Sequence, residues 1–231
     1  MTEVQRPSAE RVAKRTLILS ALANRAMLEL DKVDGIERHR EGIPRWLEAV
    51  GLDDEVEDEE RAVFDCMSAD QSWFNLMWRI EGVHTLCWAL GLCDEPKYDE
   101  LANAPLLGQS VPVGARPETV DAFVTNAKLR RGEEQVAFFE HVLAAHWRLR
   151  DFDLNPNHLE FAEASKGYWY GTFDITKFKV VDGDMALEGK TLSKAPQQAF
   201  ANAYSSAMER HTAIEWLRGG AERYTDVVTH T

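Results

Sequence analysis

Wound as a helix, the stretch Trp73 to Leu92, WFNLMWRIEGVHTLCWALGL, is apolar on every side, and this limits where it can go. Each face of such a helix needs protein rather than water against it, so it belongs in the middle of a core. At helical spacing Trp78, Glu81, Thr85 and Trp88 share one stripe, while Trp73, Met77, Ile80, His84 and Cys87 share another. Glu81 therefore sits between two tryptophans, where an ionised carboxylate must be paired, hydrogen-bonded several times or protonated. Asp70 or Ser68 can cap the start, and Gly91, with Pro96 beyond it, supplies the stop.

The flanking segments supply the packing partners. Ser8 can cap AERVAKRTLILSALANRAMLEL, whose apolar line of Val12, Thr16, Leu19, Ala23, Ala26 and Leu30 is flanked by Arg15 and Arg25. A shorter helical segment carries Ile43, Trp46, Leu47 and Val50, and ends at Gly51. Pro117 can open another with Val120, Phe123 and Val124. Gly132 to Asp151 reads as a second long helix with Val136, Glu140, Leu143 and Trp147 on one line. Glu140 thus lies on an apolar line, as Glu81 does. A short aromatic helix, HLEFAEASKGYWYG, follows Asn155-Pro156. Pro196 starts the last helix, which ends at Gly219-Gly220 and sets Arg210 on a line with Ala203, Ala207, Ile214 and Leu217. The tail after it is polar and expected on the surface.

Between Cys93 and Arg116 periodicity disappears and prolines and glycines accumulate, which predicts a long irregular connection over residues 93–116. Residues 177–188, KFKVVDGDMALE, carry the clear strand signal. A two-residue turn at Asp182-Gly183 pairs Val180 with Met185 and Phe178 with Leu187 on an apolar face that should cover the helical core. The expected architecture is mainly α: residues 1–231 form one domain of seven or eight helices around the buried central helix, with one small β-hairpin.

Composition excludes several functions. No apolar stretch reaches the roughly twenty residues that cross a bilayer, so no membrane role is expected and the protein should be cytoplasmic. Cys66, Cys87 and Cys93 are odd in number and lack CxxC spacing, which points to structural thiols rather than disulfides or a zinc site. The net charge of −13 owes much to residues 53–60, DDEVEDEE, read as a solvated loop and helix start. A mimic of an acidic partner is the sharper alternative for that run. With no basic stripe, nucleic acid is not an expected partner.

Three blocks, WRIEGVHTLCWALG, FFEHVLAAHWRLRD and GDMALEGKTL with ERHTAIEWL, together with the opening RVAKRTLILSALANRA, resemble the domain of unknown function 4272 family, found chiefly in bacteria. The resemblance implies a mostly helical domain with a small hairpin and carries no assigned chemistry. It also implies a tryptophan where Tyr224 stands and an aspartate where His230 stands.

The candidate pocket or buried network is Trp78, Arg79, Glu81, Trp88, Glu140, His146, Trp147, Arg148, Arg210, His211 and Trp216. In one reading Glu81 and Glu140 hold Arg210, and Arg148 with it, in a buried network fastening three helices. In the other these groups line a pocket walled by Trp78, Trp88, Trp147 and Trp216, suited to an anionic or planar ligand. Glu81-x-x-His84 has the spacing of carboxylate-bridged bundles but lacks the second such pair, so no metal and no cofactor are expected. No phosphate loop, nucleophile elbow or HExxH motif is present. The sequence thus points to a non-catalytic binding or interaction protein, its partner a protein or small molecule. The alternative is an enzyme centred on Glu81, Glu140 and Arg210.

Overall fold

A computed structural model describes residues 5–66, 73–167 and 173–231. It is mainly helical with a minor β part. Ser8 caps α1 (Ala9–Leu30), its hydroxyl accepting from the Arg11 amide at 3.2 Å. Then come α2 (Ile36–Ala49), a 3-10 turn at Asp53–Glu55, and α3 (Asp58–Asp65). The central helix is divided into α4 (Trp73–Met77) and α5 (Arg79–Ala89), with Trp78 between them; its expected caps, Ser68 and Asp70, lie outside the described residues. α5 ends as the sequence requires. Gly91 takes the left-handed conformation at φ 74°, and the amides of Gly91 and Leu92 return to the carbonyls of Trp88 and Cys87.

The connection over 93–116 is less irregular than expected, because Asn103 caps α6 (Ala104–Ser110) through its side chain. α7 (Pro117–Thr125) opens on Pro117, and α8 (Gly132–Leu154) is the second long helix. α9 (Phe161–Ala164) covers only part of the expected aromatic helix, whose last residues, 168–171, lie outside the described residues. Among the described residues, the divided central helix and these short pieces raise the number of helices above the expected seven or eight.

The sheet has the predicted register, Val180 opposite Met185, across β1 (Val180–Val181) and β2 (Asp184–Leu187). Asp182 and Gly183 both have positive φ, as a primed turn demands. Glu188 and Gly189 repeat that turn, adding β3 (Lys190–Thr191), which the sequence reading missed. Every residue of β2 is buried, so the hairpin has no wet face there, and Val180, expected on the apolar face, is exposed. α10 (Gln197–Leu217) closes the fold and packs on both α5 and α8, while α1 packs on α4 and α5.

α8 and α10 serve two apolar clusters. Phe138 and Val142 of α8, with Ile214, Trp216 and Leu217 of α10, join α1, α5 and α7 in the first. Leu143 to Leu149 and Ala203 with Ala207 join Phe161, Phe178, Met185 and Leu187 in the second. Phe178, Met185 and Leu187 of the hairpin thus cover helices, as expected of its apolar face, although Val180 does not join them.

The tail lies largely at the surface, as expected, but Tyr224 departs from that expectation. Tyr224 is completely buried, set edge-on to Trp216 with centroids 5.8 Å apart. Its backbone is held by Glu57, whose carboxylate accepts the amides of Tyr224 at 2.6 Å and Thr225 at 2.8 Å. The Tyr224 hydroxyl has no hydrogen-bond partner among the described residues and lies 2.6 Å from where a Cβ on Gly82 would stand. Gly82→Ala is therefore expected to lose about 1 to 3 kcal/mol by overpacking. Tyr224→Phe alone should be nearly neutral, since it removes an unsatisfied group. Combined, the two should recover at least about half of the Gly82→Ala loss in urea titrations; simple additivity would show that the clash lies elsewhere.

Candidate functional site

Arg210 turns from α10 toward α5. Its Nε and Nη2 donate to Glu81 Oε2 at 2.9 and 2.6 Å, and its remaining donors reach the carbonyls of Lys97 at 2.5 Å and Glu100 at 2.6 Å. Glu81 Oε1 accepts the Ala102 amide at 2.8 Å. Both residues are almost fully buried, and together they fasten the start of the 93–116 connection to two helices. Beside them Arg79 donates to Glu209, the residue before Arg210, at 2.9 Å, and burial pushes the Glu209 carboxyl up despite that charge.

Glu140 does not join this network. It is exposed, and no hydrogen bond or ion pair engages it among the described residues. The reason is helical geometry: side chains at 210 and 211 point about 100° apart. Arg210 therefore faces α5, while His211 faces α8, where Glu140 lies. Arg148 is also elsewhere. It grips Asp184 of β2 with two bonds of 2.7 and 2.8 Å and has Asp151 at 3.0 Å, tying α8 to the sheet.

The tryptophans do not wall one pocket. Trp88 packs against Phe138 with centroids 4.3 Å apart and the rings tilted by 45°, and Arg130 lies over its ring. Trp147 belongs to the second cluster beside Phe161, and Trp216 is sealed in the first. Trp78 is half-buried, edge-on to Phe74. His84 lies on α5 with Nδ1 buried and without a hydrogen-bond partner, and burial followed by the Arg210 charge holds it down at about 4. Glu81 is committed to Arg210 and Ala102, so it is not available as a ligand beside His84. No group of three or more His, Cys, Asp or Glu is placed to hold a metal among the described residues.

Several charged residues of this interior escaped the sequence reading. Arg15 is wholly buried and donates to Glu60 at 2.6 Å, with Glu57 at 3.4 Å and the Glu55 carbonyl as further partners. Two acids of the run, Glu57 and Glu60, thus face inward. Glu57 and Glu60 also form a reciprocal capping box at the start of α3. Burial pushes the Glu60 carboxyl up; at Glu57 the same burial is outweighed by Arg15 and the Thr225 and Tyr224 donors, and its carboxyl is lowered. Arg25 holds Glu29 at 2.8 Å and lies over Trp73. The spacing Glu57-x-x-Glu60 was the available signal, together with two arginines beside the apolar line of α1.

Among the described residues, Glu140 and His211 of the predicted set face one open space. They line a groove of about 420 Å³ between two helical lines. Val136, Glu140 and Leu143 run along α8, His211, Glu215 and Arg218 run along α10 and its cap, and Val228 and His230 of the tail close one side. Behind His211 its Nδ1 lies 2.8 Å from Nδ1 of His146, so one imidazole donates and the other accepts. Burial keeps both neutral, with His146 lowered to about 4 and His211 to about 3. Arg218 lies 3.6 Å over the ring of Phe139.

No curated protein and no solved structure matches the chain. One family does, and its match covers residues 1–162, from the described start of the chain through α8 and into α9. The hairpin and α10, which supply Asp184, Glu209, Arg210 and His211, lie beyond the matched residues. With well over half of its length matched, the chain belongs to the family described as Domain of unknown function (DUF4272).

Proposed function

We propose that the protein is a non-catalytic binding protein of the cytoplasm and that the groove between α8, α10 and the tail holds a small molecule. The observation that carries this reading is the contrast between two sets of charges. Glu81, Arg210, Arg79, Glu209 and Arg15 are each engaged in ion pairs or backbone hydrogen bonds of the interior, which suits them to fastening helices. Glu140, by contrast, is uncommitted, and it lines a concave space within the about 300 to 1,000 Å³ of small-molecule sites. Cys87 and Cys93 are thiols, as the reducing cytoplasm favours. The acidity of the chain argues against nucleic acid as the partner.

The His146–His211 pair favours a second reading, in which a neutral imidazole at the groove acts as a general base. A fragment screen by amide NMR distinguishes the two. Binders should move the amides of Glu140, Leu143, His211 and Arg218, lose affinity in a Val136→Trp variant that fills the groove from an exposed position, and keep their mass on prolonged incubation. Chemical turnover of a bound fragment would favour the enzyme. Binding unaffected by Val136→Trp would place the ligand site elsewhere.

A further inference from the structure

We infer that the groove selects a small zwitterion with an apolar body, such as an apolar amino acid or dipeptide. The inference rests on the groove being the ligand site and goes on to assign its chemistry. Arg218 is the first part. Its guanidinium is held flat by Phe139, and Nη1 lies 3.3 Å from Glu215. Nε is withdrawn from solvent without a hydrogen-bond partner, and no bond engages Nη2 among the described residues. The edge that stays within reach of a ligand carries the donors of Nη2 and the second N–H of Nη1, a fork that matches the two oxygens of a carboxylate. Stacking on Phe139 fixes the plane of that fork before any ligand arrives.

Glu140 is the second part. It stands on the opposite helical line, exposed, with no cation paired to it. Because burial keeps His211 neutral, Glu140 and Glu215 outweigh the single positive charge of Arg218 along these two lines. A simple anion would fill the Arg218 edge but meet a surplus of carboxylates; a simple cation would answer Glu140 and leave the edge empty. A molecule carrying both an ammonium and a carboxylate satisfies both helices at once. The third part is the apolar lining from Val136, Leu143, Phe173 and Val228, which accepts a branched or aromatic side chain rather than a polar one.

The test is an amide NMR titration of the full chain with four probes: L-phenylalanine, L-leucyl-L-phenylalanine, hydrocinnamate, which lacks the ammonium, and phenethylamine, which lacks the carboxylate. At least one of the two zwitterions should shift the amides of Glu140, His211 and Arg218 and bind at least about ten-fold more tightly than either single-charge probe. Glu140→Gln, at an exposed and unpartnered position, should weaken the zwitterion about ten-fold while leaving hydrocinnamate unchanged or tighter. Arg218→Lys, which keeps the charge and loses the fork, should weaken both carboxylates. Equal affinity for hydrocinnamate and the tighter-binding zwitterion, or a Glu140→Gln variant that binds that zwitterion normally, would overturn the zwitterion and leave the groove as a ligand site. No groove shift from any of the four would also overturn it; the groove itself then stands or falls by the broader fragment screen.

Discussion

Replacing Arg210 with alanine is expected to lower the unfolding free energy by about 3 to 5 kcal/mol, the range for breaking a buried ion pair by removing one partner. The loss has two sources. Glu81 would keep the Ala102 amide but lose its countercharge while almost fully buried, and the carbonyls of Lys97 and Glu100 would lose their donors. Urea titration followed by circular dichroism measures it. Removing both charges with apolar groups of similar volume, Glu81→Leu with Arg210→Met, should be far less damaging than Arg210→Ala alone, because the stranded carboxylate is gone. A loss under about 1 kcal/mol for Arg210→Ala would mean the pair behaves like an exposed salt bridge. That result would remove the reason for assigning these residues to the scaffold and return them to the list of candidate ligand contacts.

The same pair shows what a single sequence can convey. Glu81 between tryptophans and Arg210 among alanines were legible as buried charges, because a charge on an apolar helical line has to be answered somewhere. Their pairing was legible too, and the hairpin register followed from Asp182-Gly183 and the alternation around it. Glu140 occupies an equally apolar line and is exposed, since periodicity tells which residues share a face and not whether another element covers it. That face borders the groove, so the same misplacement marks the candidate ligand site. The acidic run hid its role for a related reason. Composition reads seven carboxylates as solvated, yet Glu57 and Glu60 are turned inward by a capping box and by Arg15, which lies on the side of α1 facing them. Tyr224 sits in a polar tail whose sequence carries no periodic signal, and its burial depends on two backbone amides held by Glu57. Sequence pattern reports local faces well; it is weak where the partner is a backbone group far along the chain.

The second large effect is expected in acid. Four histidines are held neutral by burial: His84, His141 and His146 at about 4, and His211 at about 3. In the unfolded chain each returns to about 6.5. The sign follows from proton counting. Above about pH 7 neither state holds the proton and the stability is flat. As the pH falls through 6.5 the unfolded chain takes up protons that the fold refuses, so stability declines until the pH reaches the lowered values of about 4 and about 3. Near pH 5 the difference approaches four protons, roughly 5 kcal/mol per pH unit as an upper bound. Half that slope would remove about 6 kcal/mol by pH 4, as much as the low end of a net stability of about 5 to 15 kcal/mol. The carboxylates act in a different window. Glu29 and Glu57, lowered by their arginine partners against the opposing effect of burial, lose their contribution only below about pH 4.5. Glu60 and Glu209, raised by burial, accept protons first in the fold and offset part of the histidine effect. The measurement is a series of urea titrations from pH 8 to pH 4.5. Stability should start to fall below pH 6.5, and His146→Gln with His211→Gln, joined so that their side chains can still hydrogen-bond, should flatten the slope between pH 6.5 and 5 by nearly half. Stability unchanged between pH 7.5 and 5 would mean that these imidazoles meet water or a proton acceptor in the fold, and the neutral pair behind the groove would have to be abandoned.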